Sequence, residues 1–203
     1  MNSVTALVNG ALERIGGELI TSLDDGSVNA NRVLQVYADV RDGLLATNDW
    51  SFAAKRVQLA QLAAAPAFEF EYAYALPADW LRTIAVHDND AGVGTFPYRQ
   101  ENQDGIKVLL ASREQVYLRY VFRLEDPTYW TPAFKLAMVY ALARDLAIPI
   151  ASSNAMEARF AQKASAQLAQ ARSIDSMGSF PNQRPLGSWA SSRGGRRVGV
   201  GSA

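Results

Sequence analysis

Glu69 and Glu71 stand two apart in FEFEY, a spacing that puts both carboxylates on one face of an extended chain. Paired carboxylates can act as general acid and base when their surroundings separate their pKa values, and nothing in the flanking sequence supplies such a separation. The single histidine, His87, borders the turn-like DNDAGVG at 88–94 and is expected at the surface. The chain has no cysteine, which removes disulfides, thiolate metal sites and thiol nucleophiles. One histidine likewise removes most imidazole metal sites and catalytic triads. Gly16-Gly17 follows a helical pattern rather than a strand, so it reads as a helix stop and not as a phosphate loop. Asp24, Asp25 and Gly26 lack the alternating oxygen ligands of a calcium loop and read as a turn leading into a helix cap. Arg193, Arg196 and Arg197 could touch a phosphate backbone, but without a recognition fold they offer no base readout. The expectation is a protein without catalytic constellation, metal or organic cofactor.

The elements that would carry these residues are legible from apolar spacing. Val4, Leu7, Val8, Ala11, Leu12 and Ile15 repeat at three and four, predicting a helix over about 3–16 with Ser3 as cap. A second helix, over about 28–47, has Val33, Val36, Tyr37, Val40 and Leu44 on its apolar face, and Asp39, Arg41 and Asp42 fall off that stripe as solvated charge. Asn48 and Asp49 break it, and Trp50 and Phe52 then read as core anchors at the helix exit.

From about 55 to 125 the pattern is strand-like. The segment 55–62 leans towards strand. Phe68, Phe70, Tyr72, Tyr74 and Leu76 alternate with smaller or charged residues, predicting one strand with one buried face until Pro77. Asp79 and Trp80 fall in a turn, Trp80 being a further structural anchor before a strand over 81–87. Asp104-Gly105 predicts a hairpin between 95–99 and 106–111, and 115–124 alternates as a last strand.

Helical spacing then returns. Thr131-Pro132 is a cap followed by a first-turn proline, opening a helix over about 131–148 that is apolar nearly all round and is ended by Pro149. Such a helix must be buried, within its own bundle or against other subunits. Asn154 and Glu157 at capping-box spacing open a last helix over about 153–175, with Met156, Phe160, Ala164, Leu168 and Ala171 as a narrow stripe. From Ser176 onward the periodicity is gone. That segment holds four arginines and no acid, in a chain of 203 residues that carries twenty basic and twenty acidic residues in all. Phe180, Leu186 and Trp189 are isolated within it as docking anchors, with Arg184, Arg193, Arg196 and Arg197 between and after them. The fold class expected is α+β: an antiparallel-type helical bundle with an inserted antiparallel sheet region as a body over 1–175, and a flexible docking tail over 176–203. Neither a cationic leader nor a membrane-length apolar run is expected.

The order of the pieces resembles a known family. ITSLDD at Ile20–Asp25, VYADVRDGLL at Val36–Leu45, WSFAAKR at Trp50–Arg56 and YAYALPADWLR at Tyr72–Arg82 precede an alternating strand and two closing helices. This order is similar to the tail tubular protein A family, the head-to-tail adaptor (connector) proteins of short-tailed bacteriophages and related prophages. More distantly it resembles the helical connectors of long-tailed phages. The resemblance covers about 4–174. It implies a helical bundle with a β-rich insertion, and a structural virion protein made in the host cytoplasm. It also implies a ring, typically of twelve subunits, below the portal protein. That ring would continue the DNA channel without reading sequence and seat a downstream tail or nozzle protein. In related adaptors a C-terminal extension reaches towards the portal, which would occupy 176–203. Arg41 and Asp42 match the family's Arg-Asp pair, and Trp50 and Phe52 its aromatic pair, all expected to be structural. Two other assignments stay open: another tail completion or stopper protein, and a DNA-binding packaging accessory.

Overall fold

The Ser3 hydroxyl accepts the Ala6 N–H at 3.2 Å and starts α1, Val4–Ile15; Gly16, at φ 73°, ends it by donating back to the last turn. The computed structural model describes residues 2–178. The docking residues expected in the tail, Phe180, Arg184, Leu186, Trp189, Arg193, Arg196 and Arg197, lie outside the described residues.

Between α1 and the next helix, Asp25 accepts from the backbone N–H of Ser27 and of Thr21, each at 2.9 Å. Those hydrogen bonds, that of Ser27 first, hold its carboxyl down at about 2. Ser27 then caps α2, Val28–Ala46. Thr131 caps α3, Pro132–Ala151, and Ser153 caps α4, Asn154–Met177. The last cap corrects the expected one: Asn154 is the first helical residue, not the cap. Pro149 does not end α3 either. It lies in the final turn, so at most the last few residues of the helix follow it, and the helix stops at Ser152, which adopts φ 52° and donates to the Ala147 and Ile148 carbonyls. Likewise α4 runs through Ser176 to Met177, so the body extends slightly beyond 175.

α3 is the central helix. It packs against α1, α2 and α4 and buries Phe134, Met138, Leu142 and Leu146 together with its alanines. Its apolar surface is thus covered by this chain's own helices. α1 runs alongside it in the same sense, since Asn2 reaches Lys135 while Gly17 lies against Ile150.

The chain leaves the helices at Ala46 and returns at Pro132. In between lie β1 (Ala54–Gln58), β2 (Tyr72–Ala75), β3 (Trp80–His87), β4 (Tyr98–Gln103), β5 (Ile106–Ala111) and β6 (Tyr117–Phe122). They form two antiparallel sheets, ordered β1-β6-β3 and β2-β5-β4. The architecture is α+β, with four helices and two small sheets. β6 explains the layering. Its Val121 joins the helical core, while Leu118 and Tyr120 on its other face pack with Tyr74, Leu109 and Ala111 of the second sheet. Helices, inner sheet and outer sheet are therefore stacked, with the apolar face of β6 on the outer sheet and Val121 of its mixed face on the helices. Beyond β5, Val108, Leu110 and Ala73 make a small outer cluster covered by Leu62 and Phe70.

The long alternating strand does not form as expected. Glu69 takes φ 71°, a left-handed conformation that breaks an extended chain, and Phe68 is 79% exposed. Phe70 packs on the outer cluster and Tyr74 on the inner one, so they do not share a face. Only Tyr72–Ala75 remains as strand. In the expected hairpin, Asp104 at φ 53° and Gly105 at φ 81° give the twisted turn, but the strand before it begins at Tyr98, not at 95. The first strand is confined to 54–58, followed by a lone bridge between Gln61 and Tyr74. Trp80 opens β3 rather than sitting in a turn. Among the described residues no helix is long and apolar enough to cross a membrane.

Candidate functional site

The most densely constructed part of the molecule is the joint between helices and inner sheet. α2 stops at Thr47, whose hydroxyl donates to the Leu44 carbonyl at 2.6 Å. The chain turns through Trp50, which is completely buried and donates its indole N–H to the same Leu44 carbonyl at 3.1 Å. Its ring meets Phe134 edge-on at 5.0 Å and Phe52 at 5.6 Å, and Trp130 packs on the far side of Phe134 at 5.2 Å. Trp130 repeats the arrangement at the return to the helices, donating to the Leu124 carbonyl at 3.1 Å. Buried indoles need such acceptors, and here each one ties off the segment that precedes it.

Two polar links cross the joint, and a third ties the inner sheet together beside it. The Asp175 carboxylate, near the end of α4 and 8% exposed, accepts from the Ser51 backbone N–H at 3.1–3.2 Å and from its hydroxyl at 2.6 Å. Asp42 accepts from Arg41 at 2.8 Å and from Arg123 at 2.7 Å, and Arg41 also reaches Glu125 at 3.4 Å. Arg41 is 8% exposed, which corrects its expected place on a solvated face. Beyond Asp42, its guanidinium meets an acid that arrives from the exit of β6. The third link is Asp79, which accepts from Lys55 at 2.6 Å and from Tyr120 at 3.0 Å. Desolvation pushes the Asp79 carboxyl up, but those two hydrogen bonds outweigh it and leave it below its ordinary value. Burial, and then Asp79 itself, push the Tyr120 phenol up to about 12. Lys55 also stands over the Phe122 ring at 3.9 Å.

Trp80 differs from Trp50. It is half-buried against the inner core, donates to the Thr83 hydroxyl at 3.1 Å and lies under Lys107 at 4.9 Å. No family model matches the chain. No curated protein matches it either.

Each of the three links is built around one carboxylate. They are acceptors saturated by donors, which is an arrangement for fixing geometry. Glu69 and Glu71 are not brought together as an acid–base pair. Glu69 faces Arg99 at 3.6 Å, and Glu71 borders a separate shallow depression with Tyr72 and Asp88. Among the described residues no three metal-ligating side chains converge. His87 is half-buried and holds the Gly94 carbonyl through Nδ1 at 2.9 Å, pinning the 88–94 turn. Asp175 was the residue that sequence reasoning missed. Its signal was present, since it continues the stripe of Phe160, Ala164, Leu168 and Ala171 by one more turn.

Proposed function

We propose that the chain is a structural virion protein, a head-to-tail adaptor without catalytic activity. Twelve copies form a ring below the portal protein, continue the DNA channel without reading sequence, and seat a downstream tail or nozzle protein. The observation that carries this proposal is the order of ITSLDD, VYADVRDGLL, WSFAAKR and YAYALPADWLR along 20–82, followed by an alternating strand and two helices. The quoted segments fall on the connector before α2, the body of α2, the turn around Trp50 into β1, and the passage from β2 to β3.

Surface chemistry supports assembly as well. Phe68 is 79% exposed, and Leu19, Val28, Val93 and Tyr129 are also largely open to solvent. Closed rings of identical subunits bury one face of each protomer against a different face of the next, and such exposed apolar side chains suit that use. The helical bundle supplies the fixed body, and the segment 179–203 is the portal-docking element. Its anchors are Phe180, Leu186 and Trp189, with Arg184, Arg193, Arg196 and Arg197 meeting acidic portal residues. Ordering such a segment costs about 1–2 kcal/mol of backbone entropy per residue, so many copies must dock together.

The test is cosedimentation of the chain with purified portal rings, using the full chain and a truncation after Gly178. The full chain is expected to bind, and the truncation to keep its melting temperature while losing attachment. Equal binding by both would remove the tail as docking element. No binding by either would count against the adaptor role.

A further inference from the structure

Arg56 on β1 and Arg119 on β6 are direct cross-strand partners on one face of the inner sheet. Like charges placed opposite each other destabilise a sheet unless something lies between them. The other arginines of this face are neutralised, Arg82 by Asp49 and Arg123 by Asp42. Arg56 and Arg119 pair with no carboxylate among the described residues. Moreover, Arg119 Nε is buried without a hydrogen-bond partner, a donor left unsatisfied where water does not reach it. Both side chains line an open cavity of about 440 Å³ beside the 88–94 turn, with His87, Asn89, Gly92 and Tyr117 also in its wall. One carboxylate, Asp90, borders the same cavity, which leaves the arginine side as the place for an anion.

We propose that this cavity binds a phosphate-type anion, held between the guanidinium groups of Arg56 and Arg119. A guanidinium presents forked N–H donors that match phosphate oxygens, and two of them facing each other bracket a single phosphoryl group. The anion would remove the repulsion across the strands. A free phosphate compound and the phosphodiester backbone of a nucleic acid carry the same chemistry. Such a site does not depend on the adaptor role and would stand if that role failed.

The experiment is thermal unfolding of the full chain in inorganic phosphate or pyrophosphate, against chloride at matched ionic strength. A labelled DNA duplex is titrated in parallel and followed by fluorescence anisotropy. Wild type is compared with Arg56→Ala and Arg56→Glu, because Arg56 is exposed and its replacement leaves the core untouched. Saturating phosphate or pyrophosphate is expected to raise the wild-type Tm by about 3 °C, and both variants to lose most of that shift. Arg56→Glu is also expected to melt higher than wild type in chloride, since it places an acid opposite Arg119. Duplex binding that weakens at least about tenfold in Arg56→Glu, without a response to the small anions, would assign the site to nucleic-acid backbone. A shift from the small anions alone would assign it to free phosphate compounds. The proposal is overturned if neither probe binds, or if both variants respond as wild type does.

Discussion

α3 buries side chains on nearly every side, whereas β4 leaves all but its final residue exposed. Both elements belong to one chain, and they lie at opposite ends of its stack of layers. α3 is covered by the other helices over most of its length, so little of its apolar surface is left open, although the sequence alone allows α3 to meet other subunits. The outer sheet is thin, with two of its three strands on edges, and β4 is guarded by charged and amide side chains. Surplus apolar surface comes instead from connectors and helix ends such as Leu19, Phe68, Val93 and Ile148. Stability and availability for contact are thus separated along the chain.

Substitutions can break that contrast, and the largest effect belongs at the joint. Trp50→Ala is expected to cost about 3–5 kcal/mol in denaturant titration, because it empties the space among Phe52, Phe134 and α2. A cost below about 1 kcal/mol would mean that the helical layer does not depend on this anchor. Asp175→Ala comes next, at about 1–3 kcal/mol, since the Ser51 N–H loses its acceptor. Asp175→Asn keeps one oxygen and should cost less. The order of these two variants separates the hydrogen bonds from packing.

A smaller effect distinguishes the inner sheet through pH. The Asp79 carboxyl is lowered in the folded chain, so its contribution is present above the unfolded pKa and is lost as pH falls through the folded one. Tyr120 is raised to about 12, so its contribution is complete below the ordinary tyrosine value of about 10 and is lost as pH rises towards about 12. Tyr120→Phe removes the hydrogen bond common to both. It is expected to cost about 0.5–1.5 kcal/mol at neutral pH, to reduce the alkaline loss, which the Tyr37 phenol, also pushed up to about 12 by burial, shares, and to flatten the acid limb. An unchanged alkaline limb would assign it to other tyrosines. Least of all, Glu101→Ala on β4 should change stability by no more than about 0.5 kcal/mol, its only ion pair among the described residues being a 4.0 Å contact with Arg99. A larger loss would show that the outer sheet is less independent than its exposure suggests.

Features specified by neighbouring residues were legible beforehand. Gly16, Thr131-Pro132 and Asp104-Gly105 act where they stand, because each sets its own backbone conformation. Trp50 was legible for a related reason: an indole directly after a broken helix has few places to go other than the core. What failed depended on partners distant in sequence. Phe68 to Leu76 alternates well, but no layer waits to cover its first half, and Glu69 turns the chain. Arg41 looks solvated until Glu125 and Arg123 are folded beside it. The mutual facing of Arg56 and Arg119 needs the register of β1 on β6, which no local pattern encodes.

The most direct test of the adaptor role is a single-particle reconstruction of a connector assembled with this chain. A ring of twelve copies between portal and tail is predicted, with the helical layers intact and the exposed apolar connectors covered by neighbouring subunits or partners. A connector in which the density between portal and tail is filled without any copy of this chain would contradict it.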